Sequence, residues 1–383
     1  MNSPDPVLLP LRPRLAEPQG YRPRVVFFYQ FCTLGGCETV LKTRMTELLA
    51  RGVDAHVVFL EGGDGQALFD DIAPHVTISS NYRHVTAKLA ELRPDFLVSI
   101  DTPDALRYQP GTGSRARWIY EVHTTYSEGL RVARSLPNRG VSAVLVPSFE
   151  QRNLVHQLVG STANLNVEVV PNPLSPAFTP TSVAVNARCP VVCWVGRLDN
   201  HKNWRLFVQA ASRAAKRGID CEFWIVGGGS AARAEKEQLW QTVRDLGLVE
   251  RLRWVPRVEY DDMPNIYRFV AGTGGCLIST SRQESFGMVA LEAMGCGCPV
   301  VVPDIGGFRD FVEHGISGLR FPVGDADVAA ERIVELLSPS LRRDLMINAA
   351  LEMVRSRYTA PAVVDAFLRA VSKISAKAAA AAA

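Results

Sequence analysis

No stretch of this 383-residue chain is apolar over the roughly 18–20 residues that a membrane-spanning helix needs, so no such span is expected. Charge of one sign is missing too. Lys and Arg total 42 against 39 Asp and Glu, and a net charge of +3 gives no bulk case for a nucleic-acid partner. The eight cysteines (32, 37, 189, 193, 221, 276, 296 and 298) include no Cys-x-x-Cys pair, and several sit inside apolar, strand-like runs. That argues against zinc and against a disulfide framework; buried free thiols and no metal are expected. The stretch Met1 to Gln19 is proline-rich and lacks the apolar core of a secretory signal, so a cytoplasmic location is expected.

What is present is alternation. Short apolar runs at Val25–Phe28, Ala55–Leu60, Phe96–Ile100, Trp118–Val122, Ala143–Val146 and Val167–Val170 are separated by amphipathic stretches such as Glu38–Ala50 and Phe149–Val159. Apolar strands alternating with helices predict a parallel sheet covered on both faces. Five prolines between Pro171 and Pro190 then read as a linker. The alternation restarts at Val191–Val195, Glu222–Val226, Leu252–Val255, Cys276–Ile278 and Val300–Val302, and ends in helices at Asp327–Leu337, Leu341–Arg357 and Pro361–Ser375. The expected class is α/β, with two doubly wound Rossmann-like domains facing a central cleft. The expected bounds are an N-terminal tail at 1–21, a first domain at 22–180, a second at 187–357, a C-terminal helix at 358–376 and a low-complexity tail at 377–383.

The most informative stretch runs from Ser279 to Val300 and holds Glu284 and Glu292. An apolar strand leads into Ser285-Phe286-Gly287, and a small-residue helix follows, closed by Gly295 and Gly297. With Ser285 as the cap, Glu292 lies two turns on and returns to the cap's face, about 10 Å along the axis. Between the two carboxylates lie the amides of a helix N-terminus, which suit a diphosphate. Carboxylates at both ends would hold hydroxyls. A pair of surface glutamates is the ordinary alternative; the strand, turn and helix around them argue against it.

Cations stand at another strand end, in Gly196-Arg197-Leu-Asp-Asn-His-Lys202. Arg197 offers a fork to phosphate and Lys202 a point charge, and both would stabilise a departing nucleoside diphosphate. Gly227, Gly229 and Ala232 match Gly-x-Gly-x-x-Ala, the main rival signal, for a nicotinamide cofactor. The match is weak, since it follows the second strand of its domain and no acidic residue closes the next one; a glycine turn near bound phosphate or base is the better reading, with a plain tight turn as the alternative. Gly35 and Gly36 open the first helix with exposed amides. His123 ends a strand beside hydroxyl residues, placed to bond a sugar hydroxyl or handle an acceptor's proton. Asp325-Ala-Asp327 reads as a helix cap rather than a metal motif. Arg131, Arg134 and Arg139 read first as a solvated face and second as a contact for a phosphorylated acceptor or anionic lipid.

Taken together, Gly196-Arg-Leu with Lys202, Val226-Gly-Gly-Gly, Glu284-Ser-Phe-Gly-Met-Val-Ala-Leu-Glu292 and Gly315-Ile-Ser-Gly-Leu resemble the retaining, nucleotide-sugar-dependent glycosyltransferases of family 4. The resemblance runs from Arg24 to about Ser372 and is stronger in the second domain. It implies the GT-B fold, retention of anomeric configuration, no cofactor, no required metal, and a last helix that packs back on the first domain. By motif position it implies a catalytic set of Glu284, His123, Arg197 and Lys202. Arg197 and Lys202 would bind the diphosphate, Glu284 the sugar and Glu292 the ribose. Backbone groups of Phe286, Gly287, Met288 and Val289 would serve sugar and phosphate, and Gly36, Gly227 and Val258 complete the donor-binding set. Two departures stand out: Lys202 is followed by Asn203 instead of the family's usual Gly, and the domain junction reads Asn172-Pro-Leu-Ser. The expected reaction is transfer from a UDP-sugar, with GDP-sugar next, to a hydroxyl of a glycan, lipid-linked or small-molecule acceptor in bacterial-type polysaccharide, glycolipid or natural-product biosynthesis. No nucleic-acid partner is expected, and peripheral contact with the inner face of a membrane stays open. The rivals are a nucleotide-sugar epimerase or hydrolase, an NAD(P)-dependent oxidoreductase, and a non-catalytic nucleotide-sugar binder.

Overall fold

Uninterrupted apolar runs are satisfied only where a strand is covered on both faces, and here they build two parallel sheets. The computed structural model describes residues 23–112, 116–160, 165–183 and 185–382. The expected 1–21 tail lies outside them. In the first sheet are β1 (Val25–Phe31), β2 (Ala55–Glu61), β3 (Val76–Ile78), β4 (Phe96–Ile100), β5 (Arg117–Glu121), β6 (Ala143–Val146) and β7 (Val167–Val169), in the order β3-β2-β1-β4-β5-β6-β7. The second holds β8 (Val191–Val195), β9 (Glu222–Val226), β10 (Leu252–Val255), β11 (Cys276–Ile278), β12 (Val300–Pro303) and β13 (Leu319–Phe321), in the order β10-β9-β8-β11-β12-β13. The expected α/β class with two doubly wound sheets is met. The strands β3 and β13, three residues each, were not anticipated.

Strand order reverses between β1 and β4 in one sheet and between β8 and β11 in the other. Ligands of such sheets bind outside the carboxyl ends at these points. The loops there are Cys32–Gly35 with Asp101, and Gly196–Asn203 with Ser279–Gly287.

The Pro171–Pro190 segment is not a free linker. Leu174 N donates to Tyr358 O at 2.7 Å, and Leu174 and Phe178 are buried in the second domain's core. Arg268 clamps the carbonyls of Ala177 and Thr179 at 2.6 and 2.9 Å. The apolar side chains inside this proline-rich stretch decide the outcome, because they are buried against the neighbouring helices.

The last helix runs Ala360–Ala382, through the alanine run. Its face Val363, Val364, Phe367, Val371 and Ile374 is buried against the core of the first sheet. Arg51 fixes its start through Asp365 at 2.5 Å and Pro361 O at 3.0 Å. The chain therefore crosses between domains twice, near Leu174 and near Thr359, where the two segments form a β-bridge.

Candidate functional site

The loop after β8 is shaped by Asp199. Its carboxylate accepts from Lys202 N at 2.7 Å and from Arg197 Nε at 2.9 Å. Burial alone would raise this carboxyl; those two donors outweigh it and hold it below its ordinary value. Asn203 then takes a left-handed conformation, φ 56 and ψ 50, which starts the helix Trp204–Lys216. A glycine would adopt this conformation without strain, and asparagine tolerates it better than most residues.

Buried Trp194 connects this loop to the one after β11. Its Nε1 donates to Thr280 Oγ1 at 2.9 Å, and Thr280 lies 3.1 and 3.0 Å from the carbonyls of Lys202 and Asn203. The result is a direct pair: Lys202 Nζ lies 2.5 Å from Glu284 Oε1, and Ser281 Oγ donates to the same oxygen at 2.8 Å. A residue from the first domain reaches over them. Tyr126 Oη accepts from Arg197 Nη2 at 2.8 Å, and the Tyr126 ring lies 4.9 Å from that of His201.

The helix that follows runs Met288–Gly295, capped by Gly287 at φ 102 with no side-chain cap. The expected Ser285 cap is therefore wrong by two residues. The reason is packing: Gly306 and Gly307 press against the backbone of Glu284–Phe286, and a Cβ on Gly287 would lie 2.2 Å from the Phe308 ring. Gly287→Ala should lower stability by about 2–3 kcal/mol through the positive φ and this clash, read as a lower melting temperature.

Glu292 lies five residues beyond the cap, only 6% exposed. Tyr267 Oη donates to its Oε2 at 3.0 Å. Desolvation pushes its carboxyl up from 4.5 to about 7, against the opposing effects of Tyr267 and of the Lys202 charge. Phe286 turns its ring into the core, with Phe311 and Tyr358 centroids at 5.3 and 5.7 Å, so only its backbone can meet a ligand. Met288 and Val289 are half-buried in the first turn.

Gly227, at φ 100, packs so close that a Cβ would lie 2.6 Å from Gly196 O, and its carbonyl accepts from Trp254 Nε1 at 2.8 Å. Packing therefore accounts for this glycine. Val258 is half-buried at the edge of the second domain's core. Gly36 opens the helix Gly36–Ala50 with no atom within 4 Å of an added Cβ. Glu38, in that first turn, reaches back to accept from Thr33 N at 3.0 Å, which ties the preceding loop to the helix. His123 is held by Asp101 Oδ1, which accepts from its N–H at 3.0 Å, and by Glu121 Oε2, 3.1 Å from its Nε2. Arg131, Arg134 and Arg139 are exposed on the helix Ser127–Ser135 and the turn after it. Asp325 caps its helix, accepting from Asp327 N and Val328 N. Among the described residues, no three His, Cys, Asp or Glu side chains gather as a metal site would require.

The cleft is tied a second time. Phe149 N, at the start of the helix Phe149–Val159, donates to Asp310 Oδ2 at 2.6 Å, and burial pushes the Asp310 carboxyl up to about 6. Sequence reasoning missed Asp310, Tyr126 and Glu121. Glu121 had left a signal, since a carboxylate inside an apolar strand requires a buried partner.

Against solved structures, the chain superposes on Anabaena HepE in complex with UDP-glucose with a TM-score of 0.77 at 21% identity, covering 92% of this chain and 100% of that one. It superposes on sucrose-phosphate synthase of Thermosynechococcus elongatus with a TM-score of 0.74 at 16% identity, over 92% and 100% of the two chains. The fold is GT-B. Residues 180–353, the part of this GT-B chain that holds Arg197, Lys202, Glu284 and Glu292, match the family model for glycosyl transferases group 1. The D-inositol 3-phosphate glycosyltransferase of Acidothermus cellulolyticus is 36% identical over 170 residues, 43% of this chain and 37% of the relative. The 2-deoxystreptamine N-acetyl-D-glucosaminyltransferase of Streptomyces fradiae is 32% identical over 184 residues, 48% of this chain and 42% of the relative. The chain spans less than half the length of these two relatives. A D-inositol 3-phosphate glycosyltransferase of Gordonia bronchialis aligns more widely, over 90% of this chain and 86% of its own, at 24% identity.

Proposed function

We propose that the chain is a glycosyltransferase that moves a sugar from a nucleotide diphosphate donor, UDP ahead of GDP, to an acceptor hydroxyl. The observation that carries this reading is the Lys202–Glu284 pair at the β8/β11 switch point, with Arg197 beside it and a helix N-terminus directly after it. A cation, a hydroxyl-binding carboxylate and first-turn amides in one crevice suit a sugar joined to a diphosphate. As the bond from C1 to the diphosphate breaks, negative charge grows on the phosphate oxygen. Arg197, Lys202 and the amides of Met288 and Val289 stabilise that charge. Glu284 orients the sugar and Glu292 takes the ribose hydroxyls. The new bond from C1 to the acceptor oxygen forms on the face the diphosphate leaves, and the acceptor's proton passes to the departing phosphate oxygen there, so configuration is retained and no metal is required.

Relatives named for D-inositol 3-phosphate and 2-deoxystreptamine support a small polyhydroxylated acceptor. A thermal-shift panel of UDP, GDP, ADP and TDP, followed by turnover of the matching nucleotide sugars, tests the reading. At 100-fold excess over its dissociation constant the right nucleotide should add about 2.7 kcal/mol of stability. Free sugar or an epimer formed without an acceptor would favour the hydrolase or epimerase instead, and stabilisation by a nicotinamide cofactor alone would favour the oxidoreductase.

A further inference from the structure

The charged group buried most deeply near the cleft lies outside the residues invoked so far. Arg44, on the helix Gly36–Ala50, is 1% exposed, and its Nη1 lies 2.6 Å from Glu121 Oε1, itself 2% exposed. The second oxygen of Glu121 lies 3.1 Å from His123 Nε2. Glu121 ends β5 and His123 follows two residues on. That two-residue spacing is the one that puts side chains on the same face of a strand. The Arg44 guanidinium lies 5.7 Å from the Phe27 ring and 5.3 Å from that of Phe367, on the helix that crosses back from the second domain. A flat, weakly hydrated guanidinium suits contact with two aromatic rings while it bonds a carboxylate.

An ion pair this deep is poor evidence for stability, because desolvating both charges offsets their attraction. Its geometry suggests a different use. We propose that Arg44 and Glu121 are positioning residues for His123, committing Nε2–H to Glu121 and leaving Nδ1 as the acceptor for a substrate hydroxyl. The proposal rests on the glycosyltransferase reading for its substrate, though not for the ring's placement. Burial alone would raise the Glu121 carboxyl; Arg44 and His123 outweigh it and keep it below its ordinary value, so it stays an acceptor on both oxygens. Asp101, a second carboxylate beside His123, accepts from its backbone N–H at 3.0 Å, while Glu121 meets the ring. The main chain and the ring are therefore fixed by separate carboxylates.

Glutamine at 121 separates positioning from structure. Its amide offers one oxygen to two donors. Arg44, being charged, keeps the oxygen, and the amide NH2 then meets His123 Nε2 and forces the Nδ1–H tautomer. Long-range 1H–15N NMR of the histidine rings, with His123 assigned by its loss in His123→Gln, should show the Nε2–H form in the wild type and the Nδ1–H form in Glu121→Gln. Turnover of the donor found above should fall about 100-fold in kcat/KM, mostly in kcat, as for a misplaced catalytic contact. The double variant Arg44→Met/Glu121→Leu removes both buried charges and leaves His123 Nε2 without its partner. It should recover melting temperature without recovering turnover. An Nδ1–H ring in the wild type, or turnover that recovers together with melting temperature in the double variant, would overturn the proposal. An Nε2–H ring in a protein that turns over no nucleotide sugar would support the ring's placement and overturn the glycosyltransferase reading instead.

Discussion

Lys202→Met is expected to lower kcat/KM for the nucleotide sugar about 10³-fold, the upper range for losing one preorganised donor to developing charge. Lys202 acts twice. Its ammonium pairs with Glu284 at 2.5 Å, and its charge reaches Glu292, whose carboxyl it helps to lower. Losing it leaves Glu284 with the Ser281 hydroxyl and removes one of the two cations from the crevice where phosphate charge grows. The fold should survive, because the loop is built by Asp199, Trp194 and Thr280, which do not use the Lys202 side chain. Far-ultraviolet circular dichroism should be unchanged, and the loss should fall on kcat as well as KM. Arg197→Met should behave similarly but more mildly, about 10²-fold, since Arg197 is 61% exposed and already shared with Asp199 and Tyr126. Turnover within threefold of wild type in Lys202→Met would remove the lysine from the mechanism.

Glu292→Gln should separate stability from function. Glu292 titrates near 7 in the folded chain against 4.5 ordinarily, raised chiefly by burial. Below 4.5 it is protonated in both states and makes no difference. Between 4.5 and 7 the unfolded chain has released its proton and the folded one has not, so stability falls as pH rises. Above 7 the penalty is complete, at about 3 kcal/mol from the size of the shift. Glutamine mimics the protonated form and keeps an acceptor for the Tyr267 hydroxyl. The variant should therefore melt at the wild-type temperature at pH 4 and several degrees higher at pH 8. If Glu292 holds the ribose, KM for the donor should rise about tenfold or more, on the scale of one charge-assisted hydrogen bond. Equal melting temperatures at pH 8 would contradict the burial argument. An unchanged KM would contradict the ribose assignment.

The longer strands of both domains were legible in the sequence, for a physical reason. Parallel strands covered on both faces leave unbroken apolar runs, and Val191–Val195, Glu222–Val226 and Cys276–Ile278 are found where those runs are. Strands of three residues, such as β3, leave too short a pattern. The start of the helix at Met288 was hidden because it depends on Phe308, twenty residues downstream. The burial of Glu292 was readable in principle, since Ala290, Leu291, Ala293 and Met294 give its helix no polar face. The pairing of Arg44 with Glu121 spans 77 residues, and Tyr126 reaches Arg197 across 71. No local pattern encodes contacts of that range. The cations and carboxylates stood out because each follows a strand end; their partners did not, because tertiary packing supplies them.

The claim that these residues grip a nucleotide sugar is tested most directly by a crystal structure of the chain soaked with UDP-glucose. The expected density places the diphosphate on Arg197, Lys202 and the amides of Met288 and Val289, the glucose hydroxyls on Glu284 and the ribose hydroxyls on Glu292. A nucleotide seated instead on the Gly227–Ala232 turn, with its ribose away from Glu292, would contradict it.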